Sequence, residues 1–252
     1  MRIPLHPGGT REMLMLSLLL GIPGAVLVYA AVAWAWGWAW VPGVLLLALW
    51  AFGLLFFRDP ERVVPGVPGI MVSPADGTTT EAIRQDHNDW VAGPATRISI
   101  FLSVFNVHVN RSPCAGVIRS THYKPGKFLD ARDPNSGSLN EANTIVIEPD
   151  EPGLGPVVVR QIAGLIARRV ICTVKAGDHV ERGQRIGLIK FGSRTELIIA
   201  GHDAYEPAVA VGDKVRGAMT VLARRMPLVG INAGPSLPPR SVGTQAEREK
   251  SQ

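Results

Sequence analysis

Ala176-Gly-Asp-His-Val-Glu-Arg-Gly183 and Val211-Gly-Asp-Lys-Val-Arg-Gly-Ala218 lie 35 residues apart and share the pattern Gly-Asp-x-Val. In both copies the glycine supplies the positive φ of a tight turn, so each reads as a hairpin and the pair as an internal repeat. Around them, short apolar runs alternate with turn signals. These are Arg97 to Phe105, Val117 to Tyr123, Thr144 to Glu148, Val157 to Ile162, Val170 to Val174, Arg185 to Ile189, Glu196 to Ile199 and Met219 to Ala223. Their length and β-branched content predict strands. The one helical signal in this region is a short stretch at Phe128 to Arg132.

The expected fold of this part is therefore mainly β within an α+β chain. Paired hairpins of this kind resemble the barrel-sandwich domains that carry biotin or lipoyl groups. The lysine that such carriers display on a turn is missing here.

The N-terminal end is different. Met13 to Phe57 contains no Asp, Glu, Lys, Arg or His. As one helix these 45 residues would run about 68 Å at ~1.5 Å per residue, over twice the ~30 Å hydrocarbon core of a bilayer. Two passes fit, broken at Trp34, Trp36, Gly37, Trp38, Trp40, Pro42 and Gly43, where tryptophans suit a headgroup interface. The expectation is a transmembrane helical hairpin at about 13–35 and 40–57 within an anchor of residues 1–62. Arg2, Arg11, Arg58 and Arg62 flank it and the connecting turn holds no cation, which puts both ends in the cytoplasm. Residues 63–231 then form a β domain on the cytoplasmic side of the cell's inner membrane. Residues 232–252, rich in Pro, Ser, Gly and charge, read as a disordered tail.

The formal net charge of +5 admits nucleic acid or an anionic membrane as partner. With no run of five like charges and no basic stripe interleaved with aromatics, the membrane is the reading and nucleic acid is not. Two cysteines, Cys114 and Cys172, make neither a disulfide framework nor a zinc site, and no metal is expected.

The chemistry is concentrated in Gly187-Leu-Ile-Lys-Phe-Gly-Ser-Arg-Thr-Glu-Leu197, an apolar strand interrupted at Gly192-Ser193. Read alone this is a strand with a glycine bulge. Further motifs accompany it: Ser73-Pro-Ala-Asp-Gly77, Phe101-Leu-Ser-Val-Phe-Asn-Val-His-Val-Asn-Arg-Ser-Pro113, Tyr123-Lys-Pro-Gly-Lys-Phe128 and Asn140-Glu141. Together, in this order and with the apolar anchor, they resemble the phosphatidylserine decarboxylase family, in particular its short bacterial and archaeal branch, over nearly the whole chain.

The resemblance implies a proenzyme that cleaves itself between Gly192 and Ser193. The hydroxyl of Ser193 attacks the Gly192 carbonyl, where glycine offers no Cβ to block the approach. The products are a β chain of residues 1–192 and an α chain of 193–252 headed by a pyruvoyl group, the expected cofactor. That carbonyl forms a Schiff base with the amine of phosphatidylserine and accepts electrons as CO2 leaves, the work that PLP does elsewhere. By the same resemblance His108 is the base and Asp76 orients it, an Asp76, His108, Ser193 arrangement. The longer branch has two histidines three residues apart, whereas this chain has His108 and Arg111. Either His108 serves both processing and decarboxylation, or Arg111 has taken over one contact. Arg111, His122, Lys124 and Lys127 are the candidates for meeting the substrate, and the loop Asp130 to Ser138 for covering the site.

The partner is a phospholipid in the membrane. Oligomeric state stays open, a homo-oligomer included. Two other classes compete. A non-catalytic membrane-tethered adaptor or carrier would account for the repeat, but it lacks the carrier lysine. A membrane-bound serine hydrolase would use the same three residues, but Gly192-Ser193-Arg194 is not the Gly-x-Ser-x-Gly elbow.

Overall fold

The computed structural model describes residues 4–133, 135–165, 169–190, 192–201 and 204–226. Phe191 of the cleavage motif and the C-terminal tail lie outside them. The chain divides into two compact units, Met1–Glu61 and Arg62–Gln252.

The first unit is a helical pair. Helix α1 (Thr10–Leu16) runs through a π turn at Ser17–Gly21 into α2 (Ile22–Ala33), and α3 (Trp40–Phe56) returns. The π turn falls just before Pro23, whose missing N–H and ring would clash with regular α geometry. Pro7–Ala33 and Gly37–Phe56 are both long and apolar enough to cross a membrane, with mean hydropathies of 2.2 and 2.1. The helices touch through Gly24 and Gly43; a Cβ on Gly43 would lie 2.9 Å from Val28. Such small-residue contacts substitute for the hydrophobic effect where the surroundings are as apolar as the helices. Trp50 Nε1 donates to Ser17 Oγ at 3.0 Å and adds a polar tie. At the turn, Trp34, Trp36 and Trp38 follow one another at ring separations of 5.3 and 5.9 Å. His6, just ahead of the helices, is buried: its Nδ1 accepts from Gly8 N, and its own N–H reaches Phe57 O.

The second unit is mainly β, with fourteen strands among the described residues. In chain order they are β1 (Ile70–Val72), β2 (Gly77–Asn88), β3 (Gly93–Leu102), β4 (Val109–Arg111), β5 (Gly116–Lys124), β6 (Ala142–Pro149) and β7 (Val157–Ala163), followed by β8 (Val170–Cys172), β9 (His179–Val180), β10 (Arg185–Ile189), β11 (Ser193–Ala200), β12 (Tyr205–Pro207), β13 (Lys214–Val215) and β14 (Val221–Arg225). A long antiparallel sheet has the order β13-β2-β3-β11-β7-β6-β5-β9, and two three-stranded sheets, β1-β14-β12 and β4-β10-β8, complete the unit. Ile98, Ile100, Leu102, Ile145, Ile147, Val157, Val159, Leu197 and Ile199 send every second side chain of the long sheet into one core. Met71, Ile186 and Leu222 of the small sheets join it there.

One expectation is corrected, and one strand is additional to those expected. Phe128 to Arg132 is not helical, because Lys127 pairs with Asn140 and Asp130 caps the N–H of Arg132; the short helix α4 is Ser136–Leu139. Strand β2, the longest, escapes a hydrophobicity reading because Gly-Thr-Thr-Thr-Glu-Ala-Ile-Arg-Gln-Asp-His-Asn is mostly polar, yet both of its edges are paired.

The 35-residue repeat is carried into three dimensions. Gly177 and Gly212 have φ of 89° and 96°, and Gly183 and Ala218 have 81° and 62°. β9 and β13 are the two outer strands of the long sheet. Gly183 N donates to Ser112 O and Ala218 N to Ser73 O, both at 2.8 Å. Each of these serines opens a Ser-Pro turn, Ser73-Pro-Ala and Ser112-Pro-Cys, closed by its own hydroxyl on the carbonyl two residues on. The two turns interlock: Val72 N donates to Pro113 O at 3.0 Å and Arg111 N to Pro74 O at 2.9 Å. The segment that carries His108 is thereby tied to the turn that carries Asp76.

Candidate active site

Strand β10 ends at Ile189 in a small sheet and β11 begins at Ser193 in the long one. The chain therefore turns a corner over three residues, and the Gly192-Ser193 bond is the last link of that corner. Gly192 takes a left-handed φ of 59°, in which any other residue is strained. Ser193 is already locked in the sheet between Leu102 on β3 and Ala163 on β7. Its hydroxyl is fully buried and has no hydrogen-bond partner among the described residues. A buried hydroxyl normally finds an acceptor, and this one lies beside a glycine in the left-handed region.

His108 reaches Gly192 from the small sheet, at the N–H on the far side of that residue from the Gly192-Ser193 bond. It precedes β4, and its carbonyl accepts from Ile189 N at 3.1 Å, which fixes it beside the corner. The imidazole is fully buried, with Nδ1 3.0 Å from Asn106 O and Nε2 3.3 Å from Gly192 N. Two partners of opposite kind define the tautomer: Nδ1 carries the proton toward the carbonyl, and Nε2 presents its lone pair to the backbone around Gly192.

The Gly192 carbonyl lies against Gly164, just past the end of β7. A Cβ at position 164 would sit 2.2 Å from Gly192 O and 3.1 Å from Gly192 C. Only glycine leaves that carbonyl its place. Behind the corner runs a buried polar chain. Asn110 donates to Thr195 Oγ1 at 3.0 Å, Gln161 Nε2 donates to Asn110 Oδ1 at 2.9 Å, and Asn143 donates to Gln161 Oε1 at 3.0 Å. It joins the small sheet to the long one two residues from Ser193. Arg194 is turned away from the corner into ion pairs with Glu196 at 2.7 Å and Glu81 at 3.2 Å.

The other sequence candidates fall elsewhere. Asp76 gives Oδ1 to Gly217 N at 2.7 Å and Oδ2 to Arg62 at 2.8 Å, so neither oxygen is spent on His108. Arg111 is buried with Nη1 on Gly183 O. His122 is exposed near Ser120 and Trp90, and Lys124 reaches Ser138 O at 2.6 Å. Asn140 is a buried clamp, holding Leu129 through both its amide groups and Ala163 O at 2.7 Å. The loop it fastens forms one wall of a cavity of about 320 Å³ whose floor includes Gly192. Phe101, Ser103 and Val104 form another wall, and Asp130, Ala131 and Arg132 belong to the loop. Neither His122, Lys124, Lys127 nor Arg111 is among the described residues of that lining. Arg132 is, and sequence reasoning passed it over because its neighbour Asp130 makes it look like an ordinary surface pair. Its hydrogen bonds hold the Asp130 carboxyl at about 2, below the usual carboxylate range.

The buried Ser193 hydroxyl and the buried His108 imidazole thus meet at one left-handed glycine. The family model described as phosphatidylserine decarboxylase matches residues 49–223. A protein of Rhodopirellula baltica is 43% identical over 223 residues, covering 88% of this chain and 88% of its own. One of Nitratidesulfovibrio vulgaris is 46% identical over 188 residues, 74% of this chain and 84% of that one. Both bear the name phosphatidylserine decarboxylase proenzyme. The chain belongs to the phosphatidylserine decarboxylase family, and it is an enzyme, a decarboxylase. The non-catalytic adaptor reading is not favoured by these likenesses.

Proposed function

We propose that this chain converts phosphatidylserine to phosphatidylethanolamine and CO2 after cleaving itself at Gly192-Ser193. The observation that carries the reading is the unpaired, buried hydroxyl of Ser193 next to a glycine at φ 59° and an imidazole Nε2 3.3 Å from that glycine's amide.

Processing uses the chain's own groups. His108 Nε2 accepts the Ser193 hydroxyl proton as Oγ adds to the Gly192 carbonyl carbon, and the C–N bond breaks with the proton going to the Ser193 nitrogen. The amide has become an ester. Removal of the Ser193 Cα proton then breaks the Cβ–O bond, releasing Gly192 as a carboxylate that ends the β chain. Water replaces the nitrogen of the remaining dehydroalanine, ammonia leaves, and a pyruvoyl group heads the α chain. The fit is favourable, since the position is buried, flanked by strands and, among the described residues, without a competing partner for Oγ. That group supplies an electrophilic carbonyl for the substrate amine and a sink for the electrons released with CO2.

The protein's part in turnover is positional. His108 stays beside the new N-terminus and can hold or return a proton there. Asp76 acts at one remove, as a positioning residue: it fixes the Ser73-to-Gly77 turn on Gly217, and through Pro74 O that turn holds Arg111 three residues after His108. The two apolar helices keep the enzyme at the cell's inner membrane with its β unit on the cytoplasmic side, where the lipid need not leave the bilayer.

Intact mass spectrometry of the purified full chain tests this. The expected products are two chains, the smaller starting at position 193 with a blocked N-terminus, while Ser193→Ala leaves one unbroken chain. A full-length, active wild type would overturn the proposal.

A further inference from the structure

The cavity above Gly192 has an uneven lining. Val104 and Leu165 give it an apolar rim, and Leu165 is 68% exposed. Among the described lining residues the one cation is Arg132. This guanidinium is exposed but not loose. Nε and Nη2 donate to Asp130 at 3.1 and 2.6 Å, the Arg132 N–H donates to the same carboxylate at 2.9 Å, and the group lies 5.7 Å above the Phe101 ring. Nη1 has no acceptor among the described residues. A pre-set guanidinium edge beside an apolar rim suits an anionic oxygen at the head of an amphiphile.

Resting on the function proposed above, we propose that Arg132 binds the phosphodiester of the lipid substrate. Two anionic groups of a serine phospholipid compete for the role. Its carboxylate loses its charge as CO2 departs, so a guanidinium on it would stabilise the ground state more than the transition state and slow the reaction. The phosphodiester keeps its charge throughout. Contact with it is uniform binding, which lowers KM and leaves kcat alone. The cations that sequence reasoning favoured, Arg111, His122, Lys124 and Lys127, are not among the described residues that line this cavity.

The test needs no pyruvoyl group. Full-length Ser193→Ala chain in detergent is titrated calorimetrically with short-chain phosphatidylserine and, separately, phosphatidylethanolamine. Adding Arg132→Ala is expected to weaken both by about tenfold, the loss of one charge-assisted contact. Arg132→Lys should recover part of that for both lipids. In the cleavable background, Arg132→Ala should raise KM by a similar factor at unchanged kcat. Unaltered binding of both lipids overturns the proposal. Weakening confined to the serine lipid also overturns it, since that outcome assigns Arg132 to the carboxylate, and so does a fall in kcat at constant KM. If wild type is never cleaved, the self-processing reading fails, while the two titrations still report on Arg132.

Discussion

Gly164 and Asp76 show how differently two residues near one centre announce themselves. Gly164 belongs to no motif, and nothing in Ala163-Gly-Leu165 singles it out. Its importance exists only because the end of β7 passes the Gly192 carbonyl so closely that a Cβ would lie 2.2 Å from the oxygen. Gly164→Ala is therefore expected to displace the scissile carbonyl and slow self-cleavage by about 10²-fold, the penalty of a misplacement near 1 Å. The chain should still melt cooperatively, and time-resolved gel analysis beside a thermal melt would separate the two effects. Asp76 is the converse, conspicuous in sequence but joined to Arg62 and Gly217. Asp76→Ala leaves a guanidinium with 10% side-chain exposure unpaired and a backbone N–H without its acceptor. Roughly 2–4 kcal/mol of stability should be lost, read by denaturant unfolding in the Ser193→Ala background. If stability is unchanged while cleavage stops, Asp76 acts directly on the reaction.

At the scale of elements, the corner between β10 and β11 explains why the bond proposed to break follows a left-handed glycine. One sheet holds the chain up to Ile189 and another holds it from Ser193, so the turn between them must absorb the change of direction, and Gly192 does so at positive φ. The repeat hairpins frame the same structure at the outer edges of the long sheet. Gly177 and Gly212 occupy equivalent places with φ of 89° and 96°, and a Cβ on either would meet nothing within 4 Å. The cost of alanine at each is then backbone strain alone. Each single substitution should remove about 1 kcal/mol and the pair about twice that, because the sites share no partner. Chemical denaturation of the three variants would check both the size and the additivity.

Across the whole molecule, the core cluster of the β unit is drawn entirely from residues after Glu61. A chain of residues 62–252 is accordingly expected to fold without the helices, to unfold cooperatively and to process itself at Gly192-Ser193, while no longer sedimenting with membranes. Fractionation and mass spectrometry would report both; a fragment that cannot fold would show that the helices complete the β unit. By itself the sequence determined the apolar helical pair, the β character of the rest and the repeat, because each rests on local chemistry: hydropathy, β-branching and glycine's backbone freedom. Gly192-Ser193 and His108 stood out only through the family resemblance of the motifs that hold them. Only the tertiary structure decided that His108 Nε2 meets Gly192, that Asp76 is engaged elsewhere, and that Gly164 and Arg132 border the site. Those relations join residues tens of positions apart across different strands, and their distances depend on sheet order and register, which no local pattern encodes.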